Sequence, residues 1–446
     1  MSTTFCNPGP GTQRRTAWGL ALLLAAGFVS AAPEPALPSL EQRVDTYIKP
    51  YLEIGHLSGT VLIAREGDVV YEKSFGLANH ELGVSNTPGT LFCIGSINKP
   101  LTIVILARMI EAEQLALTDK LTKFLPDFPR AGDITIDNLL NHSAGIPHRV
   151  TEPIDETRPQ TAASMVELAA GKALVFEPGS DSVYSSAGFS VLARVLELAS
   201  GKPYAELLTE YVLNPAGMKS TFDVGSRVVL ANRAASYAFD TDGLLNAPPQ
   251  DVSYLVGAGS VYSTPRDLLA FQRALLAGTY GKLAQEWLVR ENGNMGSNGL
   301  AAGFRAFADY DAETGIGVIV ASNLVSGALD RIRNALPEIA AGEKVETPSP
   351  IDAKAARVDP KLLQSYAGDY ELRPGRNLEL RIIDGRVRMG DWLLIPTSDM
   401  TLFSPQDYAV ITVVSDDSGE IERLDWTTGG NTYPMPKVRV KTAESE

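Results

Sequence analysis

Hydrophobic residues in the first part of the chain switch between the spacing of a helix and that of strands. Residues 40–52 carry apolar side chains three and four positions apart, which predicts an amphipathic helix. Residues 60–64 and 69–75 are rich in β-branched and aromatic side chains, and the polar residues 66–68 between them predict a hairpin turn. Residues 100–112 are apolar on nearly every side, which indicates a helix buried in a core.

Helical and β patterns then alternate with loops rich in glycine and proline. The helical patterns cover residues 164–172, 189–200, 203–213 and 265–277. Two β-type runs, at 303–310 and 317–322, flank a turn-forming segment at 311–315. Strands at both ends with helices between them predict an α+β fold, in which distant segments share one antiparallel sheet flanked by helices.

The composition changes beyond residue 340. Residues 340–350 contain few apolar side chains and several glycines and prolines, which is typical of a linker. Short apolar runs separated by turns then predict a small all-β domain, either a barrel or a curled sheet. We therefore predict a first domain at 40–338, a linker at 339–358 and a C-terminal β domain at 359–440. The sequence leaves open whether the β domain covers a cleft or only supports the first domain.

The first 32 residues have the pattern of a secretory signal. Arg14 and Arg15 precede an apolar run at 17–29, and small residues at 30–32 are followed by Pro33. A run this short does not span a bilayer comfortably. The pattern predicts a signal peptide at 1–32, a secreted or periplasmic protein, and no stable membrane span after cleavage. An uncleaved anchor and the choice between the general and twin-arginine export routes stay open.

Composition and charge narrow the range of partners. The formal net charge is −14, and no lysine and arginine cluster reverses it locally, so we expect no binding of nucleic acid or anionic lipid. The sequence contains neither a glycine-rich nucleotide motif nor the Gly-x-Ser-x-Gly elbow of α/β-hydrolases. The four histidines lack the spacing of metal ligands. No metal and no cofactor is therefore predicted.

Ser96 and Lys99 stand at the start of the predicted buried helix. Because three residues are slightly less than one helical turn, the two side chains share a face and the amine can reach the hydroxyl. An amine whose pKa is lowered by burial can activate that hydroxyl as a nucleophile. The spacing alone is weak evidence, since a capping serine beside a surface lysine gives the same pattern. The apolar helix that follows at once favours the catalytic interpretation.

Tyr184 is the second candidate for chemistry. It lies in the polar segment 181–188, which leads into another apolar run. A tyrosine in a loop is more often a packing residue, so alone it carries little functional weight.

Several segments together resemble the serine β-lactamase and penicillin-binding superfamily. They are Ser96-Ile97-Asn98-Lys99, Tyr184-Ser185-Ser186 and the segments 139–147, 214–218 and 263–268, all in family order. The resemblance covers residues 45–325 and is strongest to the class C-like esterases, D-aminopeptidases and carboxypeptidases.

The resemblance implies both a fold and a mechanism. The fold is a β-lactamase/transpeptidase-like domain with a helical subdomain, followed by a lipocalin-like C-terminal domain. Ser96 would be acylated by a small ester, amide or peptide substrate while Lys99 and Tyr184 carry protons. The N–H groups of Ser96 and Leu300 would stabilise the oxyanion, each typically contributing about 3 kcal/mol in the transition state.

Two departures from the family pattern bear on the substrate. Ser186 stands where asparagine is usual, which replaces an amide near Lys99 by a shorter hydroxyl. The third motif falls on Ser297-Asn298-Gly299, with no cation where the family has lysine or histidine. Because that cation holds the carboxylate of β-lactams and acyl-D-alanine peptides, an esterase or D-amino-acid peptidase is favoured over a β-lactamase. Arg305 is a candidate replacement for the missing charge, and an ordinary surface arginine is the alternative.

Two rival hypotheses stand beside the exported serine hydrolase. A non-catalytic binding protein on a degenerate penicillin-binding fold would explain the altered second and third motifs. A cysteine-dependent hydrolase would use Cys93, although a small buried core residue is the simpler role for this side chain. The oligomeric state and the acyl and leaving groups of the substrate are not specified by the sequence.

Overall fold

Two large antiparallel sheets dominate the architecture. The structure is a computed structural model that describes residues 38–150, 157–225, 227–351 and 353–438, so the predicted signal peptide at 1–32 lies outside the described residues. The helices are α1 (Leu40–Glu53), α2 (Asn98–Glu111), α3 (Ile136–Leu140), α4 (Ala162–Ala170), α5 (Ser186–Ser200), α6 (Tyr204–Leu208), α7 (Asn214–Ala216), α8 (Pro265–Leu276), α9 (Lys282–Leu288), α10 (Ala328–Ala341) and α11 (Pro360–Tyr366).

Within the described residues, the strands form one sheet of five strands, one of eight strands and three smaller sheets of two or three strands. Those of the first part are β1 (Gly59–Arg65), β2 (Asp68–Phe75), β3 (Leu77–Asn79), β4 (Val84–Ser85), β5 (Phe92–Cys93), β6 (Phe222–Asp223), β7 (Tyr237–Asp240), β8 (Gly243–Asn246), β9 (Val261–Ser263), β10 (Met295–Ala301), β11 (Phe304–Asp311) and β12 (Ile316–Ser322). Those of the C-terminal part are β13 (Gly368–Arg373), β14 (Arg376–Ile383), β15 (Arg386–Met389), β16 (Trp392–Ser398), β17 (Thr401–Ser404), β18 (Ala409–Ser415), β19 (Ile421–Thr428) and β20 (Asn431–Pro436).

The first sheet has five strands in the order β10-β11-β12-β1-β2. The β1–β2 hairpin thus joins three strands from much later in the chain, with Thr60 opposite Ala321. Successive side chains of β1 point to opposite faces. Leu62 therefore packs into the core that contains α2, while Val61 packs with α1 and α10. The predicted α+β fold with a shared antiparallel sheet is confirmed.

Helix α2 is enclosed by protein, as its apolar pattern predicts. Val104, Ile105 and Leu106 point in successive directions around the helix, and all three are fully buried. Helices α3 to α6 follow α2 in the chain and add apolar side chains to the same core. None of the helices in the described ranges combines the length and the apolar character that crossing a membrane requires.

The second sheet joins β13 to β20 in chain order, each strand antiparallel to the next. Its two ends meet, because an antiparallel bridge links Tyr370 with Lys437 and the Val438 N–H donates to the Asp369 carbonyl at 2.8 Å. Buried leucines such as Leu424 fill the interior. This nearly closed barrel of eight strands confirms the predicted all-β fold of the C-terminal part.

The barrel packs on the side of the first sheet that carries α1 and α10. The Arg331 guanidinium of α10 donates to the Tyr408 carbonyl at 3.1 Å and to the Thr428 hydroxyl at 2.7 Å. A Cβ atom at Gly327 would lie 2.6 Å from the Asp407 carbonyl carbon, so only glycine permits this approach. Since α2 lies on the opposite face of the first sheet, these contacts of the barrel are on the face away from Ser96.

The segment between the two sheets has no regular secondary structure where the structure describes it. Helix α10 ends at Ala341, and residues 342–351 and 353–359 form neither helix nor strand. The apolar side chains of Val345 and Ile351 still pack against the core beneath α1 and α10. The boundaries 40–338, 339–358 and 359–440 themselves stay a prediction.

Candidate active site

Ser96 and Lys99 lie on one face at the start of α2. Residues Gly95–Ile97 form a short 3-10 turn that leads directly into the helix. The Lys99 Nζ lies 3.2 Å from the Ser96 Oγ. The N-terminal end of α2, where the helix dipole is positive, thus carries a hydroxyl and an amine in direct contact.

Lys99 is enclosed by three oxygen atoms. Its Nζ contacts Ser96 Oγ and Ser186 Oγ, each at 3.2 Å, and the Ala258 carbonyl oxygen at 3.1 Å. The residue is only 5% exposed, and burial lowers the pKa of its amine to about 7. A neutral amine has two N–H bonds and one lone pair. It can therefore donate to Ser186 and Ala258 while it accepts the proton of Ser96.

The Tyr184 phenol completes the contacts of the Ser96 hydroxyl. Its OH donates to Ser96 Oγ at 2.8 Å, and its ring centroid lies 4.7 Å from the Lys99 Nζ. Burial raises the pKa of Tyr184, and its contacts with Ser96 and Ser186 oppose that rise. The phenol is therefore a proton donor at neutral pH. The residue is also 46% exposed, which places it at the open side of the site.

Ser185 and Ser186 hold Tyr184 in place at the start of α5. Ser185 is the N-cap of this helix, since its Oγ accepts from the Gly188 N–H at 2.8 Å and donates to the Pro147 carbonyl at 2.9 Å. Ser186 is 6% exposed, and its hydroxyl reaches Lys99 although an asparagine is usual there in the resembling family. The substitution thus preserves a polar partner for Lys99.

Two histidines that the sequence does not single out as site residues pack against Tyr184. His142 Nδ1 accepts from the Ser185 N–H at 3.2 Å, and His148 Nδ1 accepts from the Ser186 N–H at 3.3 Å. Their rings lie 4.7 and 5.3 Å from the Tyr184 ring. Burial lowers the pKa of His142 to about 4 and also lowers that of His148, so both rings are neutral acceptors at pH 7. They satisfy the first N–H groups of α5 and fix the phenol.

A buried polar network anchors α2 to the neighbouring segment 257–260. The Asn98 side-chain amide donates to Tyr204 OH at 2.8 Å, and its oxygen accepts from the Ser260 N–H at 3.2 Å. Thr102 Oγ1 lies 2.6 Å from Tyr204 OH and donates to the Gly257 carbonyl at 2.6 Å. This network fixes the carbonyl that contacts Lys99. The only hint of this network in the sequence is the presence of two polar residues, Asn98 and Thr102, in a mainly apolar helix.

Strand β10 approaches the nucleophile turn so closely that two glycines are required. A Cβ atom at Gly299 would lie 1.8 Å from the Ile94 carbonyl oxygen and 2.9 Å from the Ser96 nitrogen. A Cβ atom at Gly95 would lie 2.7 Å from the Leu300 nitrogen. The backbone nitrogens of Ser96 and Leu300 therefore lie close together beside the Ser96 hydroxyl. Two N–H groups beside a nucleophile are what an oxyanion hole requires, and their assignment to that role stays a prediction.

The side chains of the third motif point to two different faces of the sheet. Ser297 lies opposite Ala308, whose side chain packs in the core with α2, so Ser297 is on the face of the nucleophile. Asn298 and Leu300 alternate with it and lie on the face of α10. Leu300 therefore contributes only its backbone to the cleft, and Asn298 contributes no side chain to it.

Arg305 does not replace the missing cation. It lies opposite Leu300 on the α10 face, donates to the Asp330 carboxylate at 3.2 Å and lies 3.5 Å from Asn298 Oδ1. Its guanidinium also lies 4.4 Å from the ring centroid of the buried Phe307. The charge of Arg305 is thus paired on the face away from Ser96.

Cys93 has the properties of a core residue. It is 1% exposed, and its thiol donates to the Gly259 carbonyl at 3.5 Å. Burial raises the pKa of the thiol to about 12, so the thiolate that a cysteine nucleophile needs is not formed at neutral pH. Among the described residues, no group of three or more histidine, cysteine, aspartate or glutamate side chains could hold a metal ion.

Comparison with known proteins agrees with this geometry. The model of the Beta-lactamase family matches residues 44–342. The chain is 28% identical over 313 residues to the candidate penicillin-binding protein PbpX of Bacillus subtilis (strain 168), covering 67% of this chain and 78% of that protein. It is 27% identical over 221 residues to the teichoic acid D-alanine hydrolase of Staphylococcus aureus, covering 50% of this chain and 55% of that protein.

The solved structures include a similar fold. The D-amino acid amidase of Ochrobactrum anthropi SV3, in complex with L-phenylalanine amide, superposes with a TM-score of 0.62 at 20% sequence identity. The superposition covers 68% of this chain and 99% of the amidase. At 20% sequence identity, this similarity shows a shared fold only.

Proposed function

Because this chain belongs to the Beta-lactamase family and is a serine hydrolase, we propose that it cleaves a small ester or amide through an acyl-enzyme on Ser96. The observation that carries the proposal is the contact of one hydroxyl with both Lys99 Nζ, at 3.2 Å, and Tyr184 OH, at 2.8 Å. Together with two N–H groups beside it, these residues supply a nucleophile, a base, an acid and an oxyanion site.

In the acylation step, the Ser96 oxygen attacks the carbonyl carbon of the substrate and its proton passes to the neutral Lys99 amine. The carbonyl oxygen becomes an oxyanion, which the N–H groups of Ser96 and Leu300 stabilise. The bond to the leaving group then breaks, and Tyr184, on the exposed side of Ser96, donates a proton to the departing oxygen or nitrogen. The Ser186 hydroxyl contacts both Lys99 and Tyr184, so it can accept the proton of Lys99 and pass its own proton to the Tyr184 oxygen.

In the deacylation step, water gives a proton to the neutral Lys99 amine and attacks the carbonyl carbon of the acyl-enzyme. The second tetrahedral intermediate collapses, the carboxylic acid leaves, and the Ser96 oxygen regains a proton. The low pKa of the Lys99 amine lets one group accept and return protons near neutral pH.

The third motif supports a substrate without a required carboxylate. Ser297 offers a hydroxyl on the nucleophile face, and Arg305 lies on the other face with Asp330. The relatives named teichoic acid D-alanine hydrolase and D-amino acid amidase suggest D-aminoacyl esters and amides as substrates. An esterase or D-amino-acid peptidase is therefore favoured over a β-lactamase.

A hydrolysis panel tests this proposal. The purified protein is given p-nitrophenyl esters, D-aminoacyl and L-aminoacyl amides, and the cephalosporin nitrocefin, with Ser96→Ala as the control for each substrate. We expect esters or D-aminoacyl amides to be cleaved faster than nitrocefin, and no cleavage by Ser96→Ala. Nitrocefin as the best substrate would overturn the substrate class, and no turnover of any substrate would favour a non-catalytic binding protein.

Export belongs to the proposal as well. The signal pattern at 1–32 supports a secreted or periplasmic location. N-terminal sequencing of the protein from the producing cells should begin after residue 32. An intact N-terminus in the cytoplasmic fraction would contradict export.

A further inference from the structure

The β7–β8 hairpin links the C-terminal barrel to the first domain. Asp240 at its tip accepts two hydrogen bonds from Arg386 of strand β15, from Nε at 2.5 Å and from Nη2 at 2.7 Å. The Asp240 side chain is only 12% exposed. A two-point contact between a guanidinium and a carboxylate fixes orientation as well as distance. The barrel therefore holds the tip of this hairpin in one position.

The base of the same hairpin packs on the turn between β10 and β11. Ala302 and Gly303 form this two-residue turn, with left-handed φ values of 48° and 81°. A Cβ atom at Gly303 would lie 2.7 Å from the Ala247 Cβ and 3.0 Å from the Ser236 Cβ. The Ala247 N–H donates to the Ser236 carbonyl at 3.0 Å, which closes the base of the hairpin. The base thus presses directly on the backbone of the turn.

The turn is the end of the strand that carries Leu300. Only Ala301 separates Leu300 from the turn, so a shift of the turn moves the Leu300 N–H relative to Ser96. The hairpin also lines a cavity of about 760 Å³, with His56 and Ile395 among the other lining residues. Phe239, next to Asp240, stacks on His56 with ring centroids 4.3 Å apart, and the Tyr237 N–H donates to the Asn323 carbonyl at 3.0 Å. Strand β7 is thus held along its length, so it can transmit the position of the tip to the base.

We propose that Arg386 is a positioning residue, which through Asp240 and the β7–β8 hairpin holds the Leu300 N–H in place beside Ser96. The inference rests on the proposed function, because it assigns the Leu300 N–H to the oxyanion. It gives the barrel a role in catalysis although the barrel packs mainly on the face away from Ser96. Displacement of a catalytic group by about 1 Å can cost about a hundredfold in rate.

A double-mutant cycle tests this coupling. We expect Arg386→Met and Asp240→Asn each to lower kcat about tenfold with little change in KM, and the double variant to be no worse than either single variant. Arg386→Lys keeps the positive charge and should lose less of the rate than Arg386→Met. It should not reach the wild-type rate, because an ammonium cannot make the two-point contact. Arg381→Met, which removes an exposed arginine from the neighbouring strand β14, is the matched control and should leave kcat unchanged.

Covalent labelling with a fluorophosphonate separates the possible failures. Wild-type labelling at Ser96 together with slower labelling of Asp240→Asn is the expected result. Labelling of both single variants at the wild-type rate overturns the role of Arg386 and leaves the proposed function standing. Wild-type protein that does not label at Ser96 overturns both. Thermal denaturation of each variant confirms that it is folded, and the near-isosteric Asp240→Asn carries the test if Arg386→Met does not fold.

Discussion

The two walls of the cleft use different parts of the polypeptide. On the wall formed by α2 and the start of α5, the side chains of Lys99 and Tyr184 both contact the Ser96 hydroxyl. On the wall formed by β10, the backbone of Gly299 and Leu300 makes the close approach, and the side chains there are small or turned away.

This difference separates the chemistry from the recognition of the substrate. The α2 wall tolerates little change, because each of its side chains has a defined partner around one hydroxyl. On the β10 wall the proposed oxyanion donor is a backbone N–H, which is present whatever the side chain, so we expect the reaction to survive the loss of the family cation from position 297. We therefore expect substitutions on the two walls to differ greatly in effect.

The largest contrast should be between two serines. Ser96→Ala removes the nucleophile and should lower kcat/KM by at least about ten-thousand-fold. Ser297→Ala removes a hydroxyl that has no role in bond making and should change kcat/KM little. Steady-state kinetics on the best substrate of the panel measures both. Equal losses for the two variants would show that the walls do not divide the work in this way.

Within the α2 wall, the base should matter more than the acid. Lys99→Met removes the proton acceptor and should lower kcat about a thousandfold, in the middle of the range for general bases. Tyr184→Phe removes the proton donor and should lower kcat about a hundredfold for amides, and less for p-nitrophenyl esters, whose leaving group needs no proton. A Tyr184→Phe loss that is the same for both leaving groups would contradict the role of Tyr184 as acid.

The pH profile reports the state of Lys99. Because its pKa is about 7 and the neutral amine is the active form, kcat/KM should fall about tenfold per pH unit below 7 and level off above it. Measurement on a D-aminoacyl amide from pH 5 to 9, with the Ser96→Ala rate subtracted, gives this limb. A rate that still rises at pH 9 without levelling off would mean that Lys99 is charged at neutral pH and is not the base.

A cation restored to the β10 wall should change the substrate preference. Ser297→Lys places an ammonium on the nucleophile face and should raise kcat/KM for acyl-D-alanine peptides about tenfold, the worth of one charge-assisted hydrogen bond. Asn298→Lys adds the same charge on the α10 face and is the matched control, with no expected gain. An equal gain for both variants would indicate a general effect of charge.

The fold could be predicted from the sequence wherever a pattern of apolar and polar residues is compatible with only one type of secondary structure. The β-branched apolar run of β1, the turn at 66–68 and the all-round apolar character of α2 each specify an element directly. The structure has these elements with ends shifted by one or two residues. Strands β13, β17 and β20 did not stand out, because their inward and outward residues do not alternate clearly. Side chains in the barrel are buried because the sheet closes on itself, and closure cannot be predicted from the pattern of residues within one strand.

The candidate site divides in the same way. Ser96 and Lys99 are three residues apart, so helix geometry alone brings them together. The roles of His142 and His148 depend on backbone N–H groups of a distant helix, and the sidedness of Ser297 and Arg305 depends on strand register. These contacts and orientations depend on which distant segments of the chain pack together, so they could not be predicted from residue types and spacing.

The measurement that most directly tests the central account is the location of the acyl group. The protein is mixed with a slowly hydrolysed ester, quenched in acid within one turnover, digested, and its peptides are identified by mass spectrometry. The account predicts one acyl group per chain, on the Ser96 hydroxyl, and none on Ser96→Ala. An acyl group on any other residue, or one that persists in Ser96→Ala, would contradict it.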